Sequence, residues 1–296
     1  TDGSVVVDSD FTNFSNVETL TIDDNEILTA TLGKEAAEAG IVTVTLTDDS
    51  ADGLDTITVG SGFSSNLTVN LDGDAVIDTI TATNYTKNLK VVADATGDLV
   101  SVAHVLTGGT GTDELVYTAT ADETIDLGSV TNFETITLKG DDGATDTTTL
   151  TAADAMNASS AMTIDATGFD QDNNDANLVF DASAEDDGTY TVKTAGSGTF
   201  TITLGSKNDT VDASNGTGTE ASGVHTITAT GGANTITTGS AADIITAGSG
   251  VDTIKGSGGA DTFIFGSVTN ATGDSITDWA TTTDKIRLTL DYSNSV

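Results

Sequence analysis

The residues with the most chemistry to offer are acidic, and they are evenly spaced. Aspartate or a stand-in recurs at His225, Asn234, Asp243, Asp252 and Asp261, nine residues apart at every step, and each is followed two positions later by Ile227, Ile236, Ile245, Ile254 or Phe263. A fixed short period of this kind means a solenoid, in which each repeat supplies a turn and a short strand and stacking buries the apolar position. With two nonapeptides per coil, like turns stack 18 residues apart, so Asp243 faces Asp261 across one gap between coils and Asn234 faces Asp252 on the opposite edge. Two such side chains and the turn carbonyls around them offer about six hard oxygens, which suits calcium; magnesium demands a compact octahedron and dehydrates reluctantly.

Composition agrees with that chemistry. The chain has 296 residues with 46 acidic against 9 basic, a formal net charge of −37, and 37 of the acids are Asp against 9 Glu. So large a negative charge opposes compaction without counterions and excludes nucleic acid as a partner. The Asp bias points to turns and calcium loops, because the short side chain can reach its own backbone or a cation held by nearby carbonyls. With Cys 0 and Pro 0 there is no disulfide framework, thiol nucleophile or cysteine zinc site. A chain without proline also lacks the slow isomerisation step, which suits a protein exported unfolded and folded outside. No apolar run is long enough for a membrane-spanning helix. The chain opens on Thr1 with no charged-then-apolar leader behind it, and it reads as a mature product or an excised fragment.

The elements that must position these residues are short alternating strands, such as Val17 to Ile22, Ile41 to Leu46, Leu67 to Leu71 and Thr199 to Leu204, with apolar residues on one face and Thr on the other. Helix is expected only in two brief Ala-rich pieces, Lys34 to Ala39 and Ala152 to Ala158. Asn16-Val17-Glu18-Thr19-Leu20-Thr21-Ile22 returns 116 positions later as Asn132-Phe133-Glu134-Thr135-Ile136-Thr137-Leu138, so two related β modules are placed at 1–100 and 101–204, ahead of a C-terminal part at 205–296. The expected fold is all-β: tandem β modules, sandwich or solenoid-like, ending in a parallel β-roll.

The nonapeptide G-G-x-G-x-D-x-U-x is the repeat of RTX calcium-binding proteins, and it stands intact once, outside the solenoid, over Gly108 to Leu115. Residues 222–265 resemble an RTX β-roll, while Asp274 to Trp279 and Asp284 to Leu288 resemble the segment that closes such rolls. The resemblance implies several calcium ions. One site would use Gly239, Ala241 and Asp243 with Gly256, Gly258 and Asp261. A second would use Thr230, Gly232 and Asn234 with Ala247, Ser249 and Asp252. The intact repeat adds Gly109, Gly111 and Asp113 as ligands. Thr230, Ala241 and Ala247 depart from glycine, His225 and Asn234 replace Asp, and Asp284 falls outside the nine-residue register.

The remainder, with its Asn-Val/Phe-Glu-Thr-Leu/Ile modules and heavy use of Thr, Ala, Asp and Gly, is similar to RTX-containing surface-layer proteins of Gram-negative bacteria. That resemblance implies type I secretion to the cell surface, a structural role without catalysis, and as partners copies of the chain in a lattice or multimer, with a cell-surface glycan or lipopolysaccharide as anchor. An RTX adhesin module and the non-catalytic tail of a secreted RTX enzyme are the alternatives. Other constellations are weaker. His104 and His225 have no nucleophile elbow or zinc spacing beside them and read as turn or strand residues. Asp170-Gln171-Asp172-Asn173-Asn174 begins like an EF-hand loop but has Asp175 at position six and Asp181 at position twelve, so an Asx-rich turn is expected. The pairs Asp141-Asp142 and Asp186-Asp187 read as solvated turns and not as glycosidase acids.

Overall fold

The structure, a computed structural model, describes residues 4–22, 28–46, 55–71, 78–94, 104–120, 122–140, 147–153, 156, 161–169, 176–214 and 223–289. Its contacts divide the chain into two units, Thr1–Thr120 with Ile125–Thr137, and Ala121–Thr124 with Leu138–Val296.

In the first unit the chain alternates between two parallel sheets. One runs Ser4–Val6, Leu28–Leu32, Thr56–Val59, Thr79–Thr81, Val105–Thr107 and Val130–Thr131; the other runs Thr19–Ile22, Thr43–Leu46, Leu67–Asn70, Leu89–Asp94 and Glu114–Ala119. Each strand pairs in parallel with the next of its own sheet, as Ile57 with Ile80 and Val69 with Val91. Every circuit thus adds one strand to each sheet, which is a parallel β-solenoid and settles the choice between sandwich and solenoid. The expected helix is present as Lys34–Ala39. Six residues cannot hold a helix alone. The carboxylate of Asp8, a coil earlier, accepts the N–H groups of Gly33, Glu35 and Ala36 at 2.8, 3.1 and 2.9 Å and caps its start, and Gly40 at φ 106° ends it. The second expected helix, Ala152 to Ala158, lies largely outside the described residues. Asn16 and Asn132, which open the two related segments, share a left-handed backbone at φ 60° and 57°, so the sequence repeat marks a common corner.

The second unit is built the same way. One sheet runs Thr147–Thr151, Asn177–Asp181, Phe200–Thr203, His225–Thr228, Ile244–Ala247, Thr262–Phe265 and Lys285–Leu288, and the other runs Ala161–Gly168, Thr189–Thr194, Thr210–Asp212, Thr235–Thr237, Thr253–Lys255 and Ser275–Ile276. The apolar residue two places after each turn aspartate goes inward: Ile227 stacks under Ile245 and Ile245 under Phe263, while Val211, Ile236 and Ile254 form the matching row opposite. Phe180 and Tyr190, one from each sheet, meet edge-on at 5.3 Å and fill the interior between them. Outside, Thr faces Thr along the sheet, as at Thr201–Thr226 and Thr228–Thr246, where the β-branched side chain suits the pleat.

Candidate metal centre

Where each turn enters its strand, an acidic or amide side chain reaches back to the coil before it. The backbone N–H of His225 donates to Oδ1 of Asp243 at 2.7 Å, that of Asp243 to Oδ1 of Asp261 at 2.9 Å, and that of Asp261 to Oδ1 of Asp284 at 3.2 Å. On the other edge the N–H of Tyr190 donates to Asp209, Asp209 to Asn234, Asn234 to Asp252 and Asp252 to Asp274, each at 2.8 Å. Two ladders of acidic turns therefore run along the second unit. In Asp209, Asp243, Asp252 and Asp274 one oxygen holds the fold and the other is what remains for chemistry.

That second oxygen differs from rung to rung. Oδ2 of Asp209, Asp243, Asp252 and Asp274 is buried with no hydrogen-bond partner, a desolvated anionic acceptor that costs free energy until something positive meets it. Asp261 is 2% exposed, and a methyl group on Gly256 would stand 2.4 Å from its Oδ2, so only glycine leaves room beside that oxygen. Asn234 is different: its Oδ1 accepts from Asp209 and its Nδ2 donates to the carbonyl of Gly231 at 2.9 Å, presenting a donor where Asp presents an acceptor.

The backbone around these groups stacks turn on turn. Gly239 accepts the N–H of Gly258 at 3.1 Å, and the carbonyl of Gly256 accepts the Thr238 hydroxyl at 3.0 Å. The carbonyl of Ala241 points at Gly259 and that of Gly232 at Gly250, each into the gap between adjacent coils. Gly248 lies against Thr230 and Gly231 against the Ser249 hydroxyl, with Ala247 ending the strand before that turn. The structure thus gathers Gly239, Ala241, Asp243, Gly256, Gly258 and Asp261 in one pair of stacked turns, and Thr230, Gly232, Asn234, Ala247, Ser249 and Asp252 in another. Among the described residues no three His, Asp or Glu side chains converge, so an ion here draws on main-chain carbonyls as well. Orphaned carboxylate oxygens beside carbonyls fit a hard cation, and calcium bound there would neutralise the rungs and tie one coil to the next.

Charge repulsion is written into the first pair. Burial, then the carboxylates of Asp243, Asp284 and Asp278, push the Asp261 carboxyl up to about 6 against the opposing N–H bond from Asp243. Burial likewise raises Asp252, with Asp274 adding to it.

Sequence spacing missed several rungs. Asp284 sits in the ladder directly after Asp261 although 23 residues separate them, and Asp274 follows Asp252 at 22. The extra residues are absorbed in the loop, and the pairing of Thr262 with Lys285 restores the register. Asp278 also closes the last turn by accepting the N–H groups of Gly256 and Ser257 at 3.0 and 2.7 Å. Asp284→Ala is therefore expected to weaken calcium binding along with Asp261→Ala, within about threefold of it, where the nine-residue register alone would leave it unaffected. Calorimetric titration of both variants checks this; wild-type affinity in Asp284→Ala would place the rung outside the site.

The same device appears in the first unit. Oδ1 of Asp113 accepts the N–H of Leu89 at 2.7 Å, Oδ2 accepts that of Gly109 at 2.5 Å, and the N–H of Asp113 donates to Glu134 at 2.6 Å. Gly111 packs its Cα against the carbonyl of Lys87. Both acids are raised by burial. Since Oδ2 of Asp113 is already bonded, this rung offers less to a cation than Asp243 does. His104 takes an aspartate's place, its Nδ1 accepting the N–H of Asp78 at 2.9 Å, and burial lowers its pKa so that the ring is neutral, as accepting requires. His225 is a buried strand residue stacked on Phe200 at 5.2 Å. Asp186 and Asp187 are exposed in a turn; Asp141-Asp142 and Asp170 to Asp175 lie outside the described residues.

Comparison with known proteins adds one family. The RTX calcium-binding nonapeptide repeat matches residues 226–267 in four copies. No curated protein and no solved structure matches the chain. No described helix is long and apolar enough to cross a membrane.

Proposed function

We propose that this chain, which carries RTX calcium-binding nonapeptide repeats over residues 226–267, is a structural subunit of a bacterial surface layer whose folding and assembly depend on calcium. The observation that carries the reading is the pair of carboxylate ladders, in which Asp209, Asp243, Asp252 and Asp274 each hold the preceding coil with one oxygen and leave the other buried and unbonded. Such a molecule is destabilised by its own charge until cations enter, and ion binding coupled to folding then supplies stability by mass action. In a low-calcium cytosol the repeats stay loose enough for export, by type I secretion; outside the cell calcium folds them. The chain does no catalysis. Its partners are further copies of itself, held at the cell surface by glycan or lipopolysaccharide.

At a formal charge of −37, copies repel one another, so a lattice needs bridging cations and not only screening. Monovalent salt shortens the Debye length to about 8 Å at 0.15 M but coordinates nothing. Electron microscopy should show ordered sheets with calcium, dispersal with EGTA, and no rescue by sodium chloride at matched ionic strength. Dispersed rods with calcium bound would overturn the layer in favour of an adhesin module or an enzyme's tail.

A further inference from the structure

One coil before the matched repeats, two acids are buried together without a counter-charge. Glu185 and Asp209 are each 1% exposed. Glu185 sits in a tight turn: Oε1 accepts the N–H groups of Asp187 and Gly188 at 3.0 and 2.8 Å, and the Tyr190 hydroxyl is 3.4 Å from Oε2. Asp209 accepts the N–H of Tyr190 on Oδ1 at 2.8 Å, and its Oδ2 is buried with no partner. The two turns are stacked: Ser206 donates its N–H to the carbonyl of Glu185 at 3.1 Å and its hydroxyl to that of Asp186 at 3.2 Å. A side chain at Gly205 would stand 2.7 Å from the Glu185 carbonyl, so the close approach of the turns needs glycine there. Lys207, in the same turn, is exposed, and among the described residues no salt bridge reaches either acid.

We propose that Glu185 and Asp209 hold a calcium ion between their stacked turns, in a site outside the nonapeptide repeats. An orphaned Oδ2, a second carboxylate and carbonyls from both turns form an all-oxygen donor set of the kind calcium takes. A buried pair of this sort must accept either a proton or a cation. Burial first, and Glu185 after it, push Asp209 up to about 6 against the nearby backbone N–H groups of Tyr190 and Gly205, which favour its charged form. The buried Oδ2 of Asp209 has no donor to satisfy it, and a cation between the stacked turns is the remaining solution. The Glu185 turn has no nonapeptide, and residues 185 and 209 fall outside 226–267, so the site extends calcium control into a coil that the repeat pattern does not mark. It deepens the calcium reading above and rests on it only for the identity of the ion.

Tyr190 makes the site readable, because a terbium ion within a few ångströms of a phenol is excited through it. Terbium titrated into the metal-free full chain and excited at the tyrosine band should give an emission component that Tyr190→Phe removes while the number of calcium ions bound, counted by equilibrium dialysis, is unchanged. Asp209→Asn should lose that component and bind one calcium fewer, with Glu185→Gln behaving likewise. Asp261→Ala should lose calcium from the repeats and keep the Tyr190 component. Unaltered emission in Tyr190→Phe together with an unaltered calcium count in Asp209→Asn would overturn the proposal and assign the pair a proton. A wild-type chain that binds no calcium at all would overturn the reading of the repeats as well, whereas calcium that is lost in Asp261→Ala but undiminished in Asp209→Asn would overturn this site alone.

Discussion

Millimolar calcium should raise the thermal unfolding midpoint of the metal-free chain by about 10–20 °C, and magnesium at the same concentration by far less. Each ion bound only by the folded state contributes about 2.7 kcal/mol when free calcium is a hundred times its dissociation constant, and two such ions act on a unit whose midpoint moves by roughly 2–4 °C per kcal/mol. The contrast with magnesium follows from the donors, which are carbonyls and carboxylates on flexible turns and not a rigid octahedron. Circular dichroism melts of the full chain in EDTA, calcium and magnesium measure it. Equal midpoints in all three would remove calcium from the account of the fold.

The pH dependence has a definite sign. The Asp261 and Asp209 carboxyls stand near 6 in the folded, metal-free chain, above the ordinary carboxylate value. The folded state therefore binds more protons than the unfolded one, so these groups stabilise the metal-free fold most below the ordinary carboxylate value, and that contribution is lost as the pH rises through about 6. Calcium competes for the same oxygens, and the gain in midpoint it brings should shrink between pH 7 and pH 5.

Gly259→Ala should destabilise the second unit by roughly 2–4 kcal/mol, through backbone strain and a steric clash together, whereas Gly258→Ala, its neighbour, should be close to neutral. Gly259 has φ 122°, and a methyl group there would stand 1.9 Å from the carbonyl oxygen of Ala241, which is backbone and cannot swing away. At Gly258 the nearest atom would be 3.6 Å off, an ordinary contact. Because the strain belongs to the turn and not to the ion, the difference should persist in EDTA. Chemical denaturation of both variants decides it, and similar losses would mean that the two turns are not stacked as described.

From Asp243 to Asp261, and from Asn234 to Asp252, the partners were legible in the sequence because the coil there is two uninterrupted nonapeptides, so a fixed separation of 18 along the chain is also a fixed step in space. The alternation of Thr with Ile, Val and Leu likewise determined strands with one buried face, and Lys34 to Ala39 determined a short helix. Elsewhere the step between rungs varies, 26 residues from Asp78 to His104, 19 from Tyr190 to Asp209, 25 from Asp209 to Asn234 and 23 from Asp261 to Asp284. Lengthening a loop costs only a logarithm of its length, whereas slipping a parallel strand by one residue would turn its buried face outward. Register is therefore kept and spacing is not. That asymmetry hid Asp209, Asp274, Asp284 and the imidazole of His104 from a reading by period, and left the meeting of Glu185 with Asp209 to be decided by tertiary structure alone.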